Sequence, residues 1–139
     1  MNTIIYTDGS SRGNPGPGGW GAVVITDESV VELGARDGMT TNNRMELSAA
    51  IEALTVAPVS GSMILFTDSQ YVIKGMTEWI GGWIAKGWKN SQKKPVINRD
   101  LWERLLRVSE GKNITWKYVR GHGDTVGNVR CDEIATRCA

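Results

Sequence analysis

Two apolar runs in this chain end alike, and the segment between them leaves few folds open. Thr3 to Thr7 runs into Asp8-Gly9-Ser10, and Met63 to Thr67 runs into Asp68-Ser69-Gln70. Short apolar runs closed by Asp beside Gly or Ser read as strands entering turns. Residues 43 to 57 lie between them and place Met45, Ala49, Ala50, Ala53, Leu54 and Ala57 near one helical face, with Pro58 and Gly61 closing the helix. If that helix joins two parallel neighbouring strands, both aspartates emerge at the same sheet edge. Ligand sites in α/β sheets gather just beyond the carboxyl ends of such strands.

The remaining segments extend this layout. Gly9 to Gly19 is rich in Gly and Pro and reads as a turn region, while Trp20 to Thr26 and Val30 to Ala35 read as strands joined at Asp27-Glu28-Ser29. Helical pieces are expected over 70–86 and 99–109, a strand over Ile114 to Val119, and a final helix over 127–138. Three strands followed by helices and strands in alternation predict an α/β fold with a mixed sheet. With 139 residues the chain fits one domain, residues 1–139, and its 40% hydrophobic and 22% charged content is that of an ordinary soluble protein. Apolar runs of a few residues predict no membrane span, and Met1-Asn2-Thr3-Ile4-Ile5 lacks the form of an export signal. Cys131 and Cys138 would sit roughly 10 Å apart along the last helix, too far for a disulfide. They read as small buried residues in a reducing, cytoplasmic compartment.

Charge is divided along the chain. Residues 1–70 carry three basic and eight acidic side chains, whereas residues 71–94 carry five Lys and one Glu. An acidic first half suits cations, and a basic middle suits phosphate. Asp8 and Asp68 taken singly are ordinary turn residues. Glu46 has a structural reading as the partner of an Asn43 N-cap, yet it shares the inward alanine stripe, where an unpaired carboxylate is costly. A bound cation removes that cost. Hard divalent ions take carboxylate oxygens and water, and two of them about 4 Å apart support an in-line displacement at phosphorus. Zinc is disfavoured by the single His and the absence of paired Cys spacing. A serine nucleophile lacks its elbow, and Gly13 to Gly19 lacks the Gly-Lys-Ser/Thr ending of a triphosphate loop. Asp132, in the first turn of a short helix, is unremarked by physics alone, since acids are favoured there.

The segments Tyr6 to Ser10, Gly13 to Gly19, Thr41 to Leu47, Thr67 to Tyr71, Gly121-His122, and Asn128 through Cys131-Asp132-Glu133, in this order and spacing, closely resemble type 1 ribonuclease H over essentially the whole chain. The resemblance implies a ribonuclease H-like fold, with a five-stranded mixed β-sheet flanked by α-helices. It implies hydrolysis of the RNA strand of an RNA/DNA hybrid within the chain, leaving 3′-hydroxyl and 5′-phosphate ends. Two magnesium ions, with manganese as a possible substitute, are implied at Asp8, Glu46, Asp68 and Asp132. By position, Asp8 would bridge both ions, Asp68 and Asp132 would hold the ion that activates water, and Glu46 would hold the second and reach the ribose 2′-hydroxyl. His122, between glycines, resembles a mobile-loop histidine that assists proton movement and product release. In the family, residues matching Asn14, Asn43 and Gln70 touch the hybrid in its minor groove and those matching Thr41 and Asn42 help hold the DNA strand; the resemblance implies Asn128 as a further substrate contact. Reading RNA through its 2′-hydroxyls across a shallow groove is independent of base sequence.

Trp79, Trp83 and Trp88 are interleaved with Lys86, Lys89, Lys93 and Lys94. The Trp residues suit shape and the Lys residues suit DNA phosphates, although Trp79 and Trp83 at i, i+4 also suit a local core. Ile84-Ala85 stands where the family is often basic, which predicts weaker substrate affinity. Gly123 to Gly127 forms a short histidine loop, Val129 replaces an acid that can occur there, and a last helix ending at Ala139 is expected to lack a bracing tail. No hybrid-binding domain is expected ahead of the catalytic one, and a monomer is expected. A silent hybrid-binding module, or another nuclease of the same fold, is the alternative; retention of four carboxylates and of the Thr41 to Leu47 segment weighs against both. An Ile84→Lys, Ala85→Lys variant should bind the hybrid more tightly in a titration, and equal binding would count against a role for this pair.

Overall fold

The structure is a computed structural model that describes residues 2–58 and 61–119. Strands β1 (Asn2–Ser11), β2 (Gly16–Ile25) and β3 (Val30–Thr40) form an antiparallel meander. Helix α1 (Asn42–Val56) then crosses to β4 (Ser62–Thr67), which pairs parallel with β1. Next come α2 (Gln70–Lys74), a π-helical turn (Gly75–Trp79), α3 (Ile80–Ala85), α4 (Arg99–Ser109) and β5 (Asn113–Tyr118), the last parallel to β4. The five strands lie in the order β3-β2-β1-β4-β5. This is the mixed sheet with helices that the sequence implies. The expected final helix with Asn128, Cys131, Asp132 and Cys138, and the expected loop histidine His122, lie outside the described residues.

Alternation in the central strands explains how the layers join. Ile5 of β1 and Met63 and Leu65 of β4 are fully buried against Leu47, Ala50, Ile51 and Leu54 of α1. Each of these larger side chains contributes about 1.5–3 kcal/mol on burial. Small side chains at Ala49, Ala50 and Ala53 let α1 lie close to the sheet. Leu101, Trp102 and Leu105 of α4 complete the core on the same side. Lys112 fastens the far ends of both helices, its Nζ donating to Leu54 O and Val108 O at 2.7 Å. Burial lowers its pKa.

Three segments differ from the sequence reading. The glycine-rich stretch is mostly strand, for β1 continues to Ser11 and β2 begins at Gly16. Its glycines answer a packing demand: a Cβ on Gly9 would lie 2.4 Å from the Met45 carbonyl carbon and 2.5 Å from Glu46 N, and one on Gly18 would lie 2.5 Å from Thr40 Cγ2. Strand β3 runs on to Thr40 rather than stopping at Ala35. The helix expected over 70–86 contains a π-helical turn from Gly75 to Trp79, a widening that periodicity does not reveal. It begins where the helix rides over the fully buried Trp102, whose Nε1 donates to Tyr71 OH at 3.1 Å. A Cβ at Gly75 would meet Trp102 Cη2 at 2.0 Å. Gly75→Ala should therefore destabilise the protein by about 1–3 kcal/mol, as overpacking of a filled core does, read as a lowered thermal midpoint.

Candidate active site

Thr7 and Thr67 are register partners in the parallel β1–β4 pair, so the residues that follow them, Asp8 and Asp68, issue side by side. Asp68 leaves its strand there, but Asp8 remains paired with Gly21 in the extended β1–β2 ladder, and so is not a strand terminus as its motif suggests. Its Oδ1 accepts the Gly9 N–H at 2.9 Å. Helix α1 supplies Glu46 from its second turn. Ligand oxygens of Asp8, Glu46 and Asp68 all lie within 4.8 Å of one another. Asp8 and Glu46 are each 8% exposed.

The capping reading of Glu46 fails on geometry. Thr41, not Asn43, is the N-cap of α1, its Oγ1 accepting the Arg44 N–H at 3.2 Å. Glu46 therefore stands too far along the helix to close a capping box. Its Oε1 and the Oδ1 of Asp68 are buried without a hydrogen-bond partner among the described residues. Buried polar atoms are normally satisfied, and an all-oxygen set with open lone pairs fits a hard divalent cation.

The other expected contacts surround this cluster. Ser11 N–H donates to Asn42 Oδ1 at 2.7 Å, and Asn42 N–H donates to Asn14 Oδ1 at 3.1 Å. The β1–β2 hairpin is thus tied to the start of α1, and Asn14, Thr41, Asn42 and Asn43 are brought together. Gln70 opens α2 beside Asp68 and is exposed. Sequence reasoning passed over Arg44, whose guanidinium makes a bidentate pair with Asp100 at 3.0 and 2.8 Å and also donates to Asn98 Oδ1 at 3.1 Å. Asn98 in turn donates to Tyr71 OH at 3.2 Å. These partners are more than fifty positions apart, and no periodicity signals such pairs.

Trp79, Trp83 and Trp88 form a continuous row, with ring centroids 5.8 and 6.3 Å apart. Trp83 also packs on Trp102 at 5.3 Å, so the row is rooted in the core. Trp79, Trp83, Lys86 and Lys89 line an open hollow of about 460 Å³, and both lysines are exposed.

The ribonuclease H family model matches residues 1–139. The chain belongs to the ribonuclease H family. It is 55% identical over 135 residues to a ribonuclease H of Geotalea uraniireducens, covering 97% of this chain and 92% of that protein. Among solved structures it is similar to LC9-RNase H1, described as a type 1 RNase H with the type 2 active-site motif, at TM-score 0.85 and 30% identity over 99% of this chain and 72% of that one. It is also similar to LC11-RNase H1, solved in complex with an RNA/DNA hybrid, at TM-score 0.73 and 26% identity over 97% and 94% of the two chains. As a ribonuclease H it is a metal-dependent nuclease, and the fold set out above is that of its relatives.

Electrostatics in this ribonuclease H site follow from burial and like charge. The Glu46 carboxyl is pushed well above its ordinary range, first by burial, then by the hydrogen bond that only its protonated form can donate to Asp68 and by the Asp68 charge, then by the charge of Asp8; the Gly9 backbone opposes this. The folded chain holds this proton more tightly than the unfolded chain. The stability this provides is full below the ordinary glutamate range and is lost as pH rises through the raised, folded value. Without metal, Glu46→Gln should therefore be more stable than the unsubstituted protein once pH exceeds that value, because the amide brings no charge into the buried cluster. Thermal midpoints across pH test this, and added divalent cation should raise the unsubstituted protein's midpoint more than the variant's.

Proposed function

We propose that this chain cleaves the RNA strand of RNA/DNA hybrids internally, leaving 3′-hydroxyl and 5′-phosphate ends, with two magnesium ions at its carboxylates. The single observation that carries this reading is the cluster of Asp8, Glu46 and Asp68, with two buried oxygens lacking partners among the described residues. Asp132 is taken as the fourth ligand. The bound ions supply charge stabilisation to the attacking and leaving oxygens and lower the pKa of water. Manganese, also an oxygen-binding ion, is taken as a substitute.

The chain's own groups set the geometry. Asp8, fixed on β1, would serve both ions, and Asp68 and Asp132 would hold the first of them. Glu46, held by α1, would be the ligand of the other and would accept a ribose 2′-hydroxyl, which would distinguish RNA at the cut. His122 is assigned proton movement at the leaving oxygen. Asn14, Asn43 and Gln70 face the minor groove in this reading, and Thr41, Asn42 and Asn128 hold the backbone. Trp79, Trp83, Trp88, Lys86 and Lys89 receive the DNA strand. Support for the hybrid as substrate comes from the similarity to LC11-RNase H1, which was solved with one bound. The same proposal takes residues 1–139 as one catalytic domain acting as a cytoplasmic monomer.

Labelled RNA/DNA, RNA/RNA and DNA/DNA duplexes, each incubated with and without Mg²⁺, separate this reading from a silent binding module and from another nuclease. Cleavage is expected of the hybrid alone and with Mg²⁺ alone. Asp68→Asn should lower kcat on the order of 10³-fold, the equivalent of several kcal/mol of lost charge stabilisation. DNA/DNA cleavage, or an unimpaired Asp68→Asn variant, would overturn the proposal.

A further inference from the structure

Arg99 opens α4, outside the Lys- and Trp-rich segment, yet its guanidinium carbon lies 5.3 Å from the ring centroid of Trp88. Trp88 belongs to the row that continues through Trp83 to Trp79, and the last two of these rings wall the hollow that Lys86 and Lys89 also line. Arg99 therefore extends one basic and aromatic surface, contributed by a different part of the chain. A guanidinium carries five N–H donors. Arg99 spends Nε on Glu103 Oε1 at 2.8 Å, and its two Nη groups have no hydrogen-bond partner among the described residues.

The neighbouring acids do not cancel this charge. The Arg99–Glu103 pair is exposed, with 52% and 41% of the side chains accessible, so its attraction is weak. Asp100 is engaged by Arg44 in a bidentate pair, and Glu78 lines the same hollow as Lys86 and Lys89, one acid against two bases. The contact with the Trp88 ring and the Nε bond to Glu103 restrain the guanidinium from two sides, while its Nη groups have no hydrogen-bond partner among the described residues. A fork fixed in this way loses less entropy on gripping phosphate than a free lysine does.

We propose that Arg99 is a further phosphate anchor for the bound duplex, supplying from α4 positive charge that Ile84-Ala85 does not supply. The inference rests on the hybrid-nuclease reading and deepens it. Its test is hybrid binding without metal, so that nothing is cut, over a series of salt concentrations. Arg99→Gln should weaken binding about 3- to 10-fold at low salt, as loss of a hydrogen-bonded ionic contact does, and should reduce the salt slope by about 0.7–0.9, the signature of one lost phosphate contact. Arg99→Lys should keep the slope while losing part of the affinity, and Glu103→Gln should tighten binding. With Mg²⁺, the Arg99→Gln loss should appear in KM and leave kcat within about twofold, as loss of uniform binding does.

An unchanged slope in Arg99→Gln overturns the inference, because a residue that merely braces Trp88 alters fit without altering counterion release. Equal slope loss in Arg99→Gln and Arg99→Lys overturns it as well. If the unsubstituted protein neither binds nor cuts the hybrid, the nuclease reading fails first. If it does both and the slope is insensitive to Arg99→Gln, the inference alone fails.

Discussion

Repulsion among three carboxylates within 4.8 Å of one another is the strain around which the molecule is organised. A loose chain would relieve it by separating them. Here the β1–β4 register fixes two of the groups, and α1, pressed onto the sheet by its alanine face, fixes the third. The proton on Glu46 and a bound cation are two ways of relieving the same repulsion, and they compete for the same oxygens. Metal binding and acidity at this site are thus linked through the packing of α1, which holds Glu46 buried beside the two aspartates.

Much of the centre was legible in the sequence, for a physical reason. Asp8 and Asp68 each follow a short apolar strand, and the intervening helical stripe implies a parallel crossover. Strand periodicity and topology rules then place both aspartates at one edge without reference to any tertiary contact. Glu46 was legible as an anomaly, an acid on an inward face. Asp132 was reached by family resemblance, since an acid in a helix's first turn is unexceptional.

The failures share a cause as well. Gly9, Gly16 and Gly18 look like turn formers, because glycine's freedom of backbone and its lack of a side chain produce the same letter. Which property is in use depends on what packs above it. Likewise the π-helical turn begins at Gly75 against Trp102, which enters from twenty-seven residues downstream. Arg44, Asn98, Tyr71 and Trp102 form a polar and aromatic chain linking α1, α4 and α2, and its members carry no common local pattern. Short-range periodicity reports on elements, while such links are properties of their assembly.

Gly9 has a mechanical meaning for the site. The backbone at Met45 and Glu46 occupies the volume a side chain there would need, so α1 rests directly on the main chain of β1 and the gap between Asp8 and Glu46 is gauged by a missing atom. A ruler of this kind is nearly incompressible, unlike one made of rotatable side chains. It separates two tasks: the exposed surface of the Lys- and Trp-bearing segment can vary while the bore between these two ligands keeps its calibre.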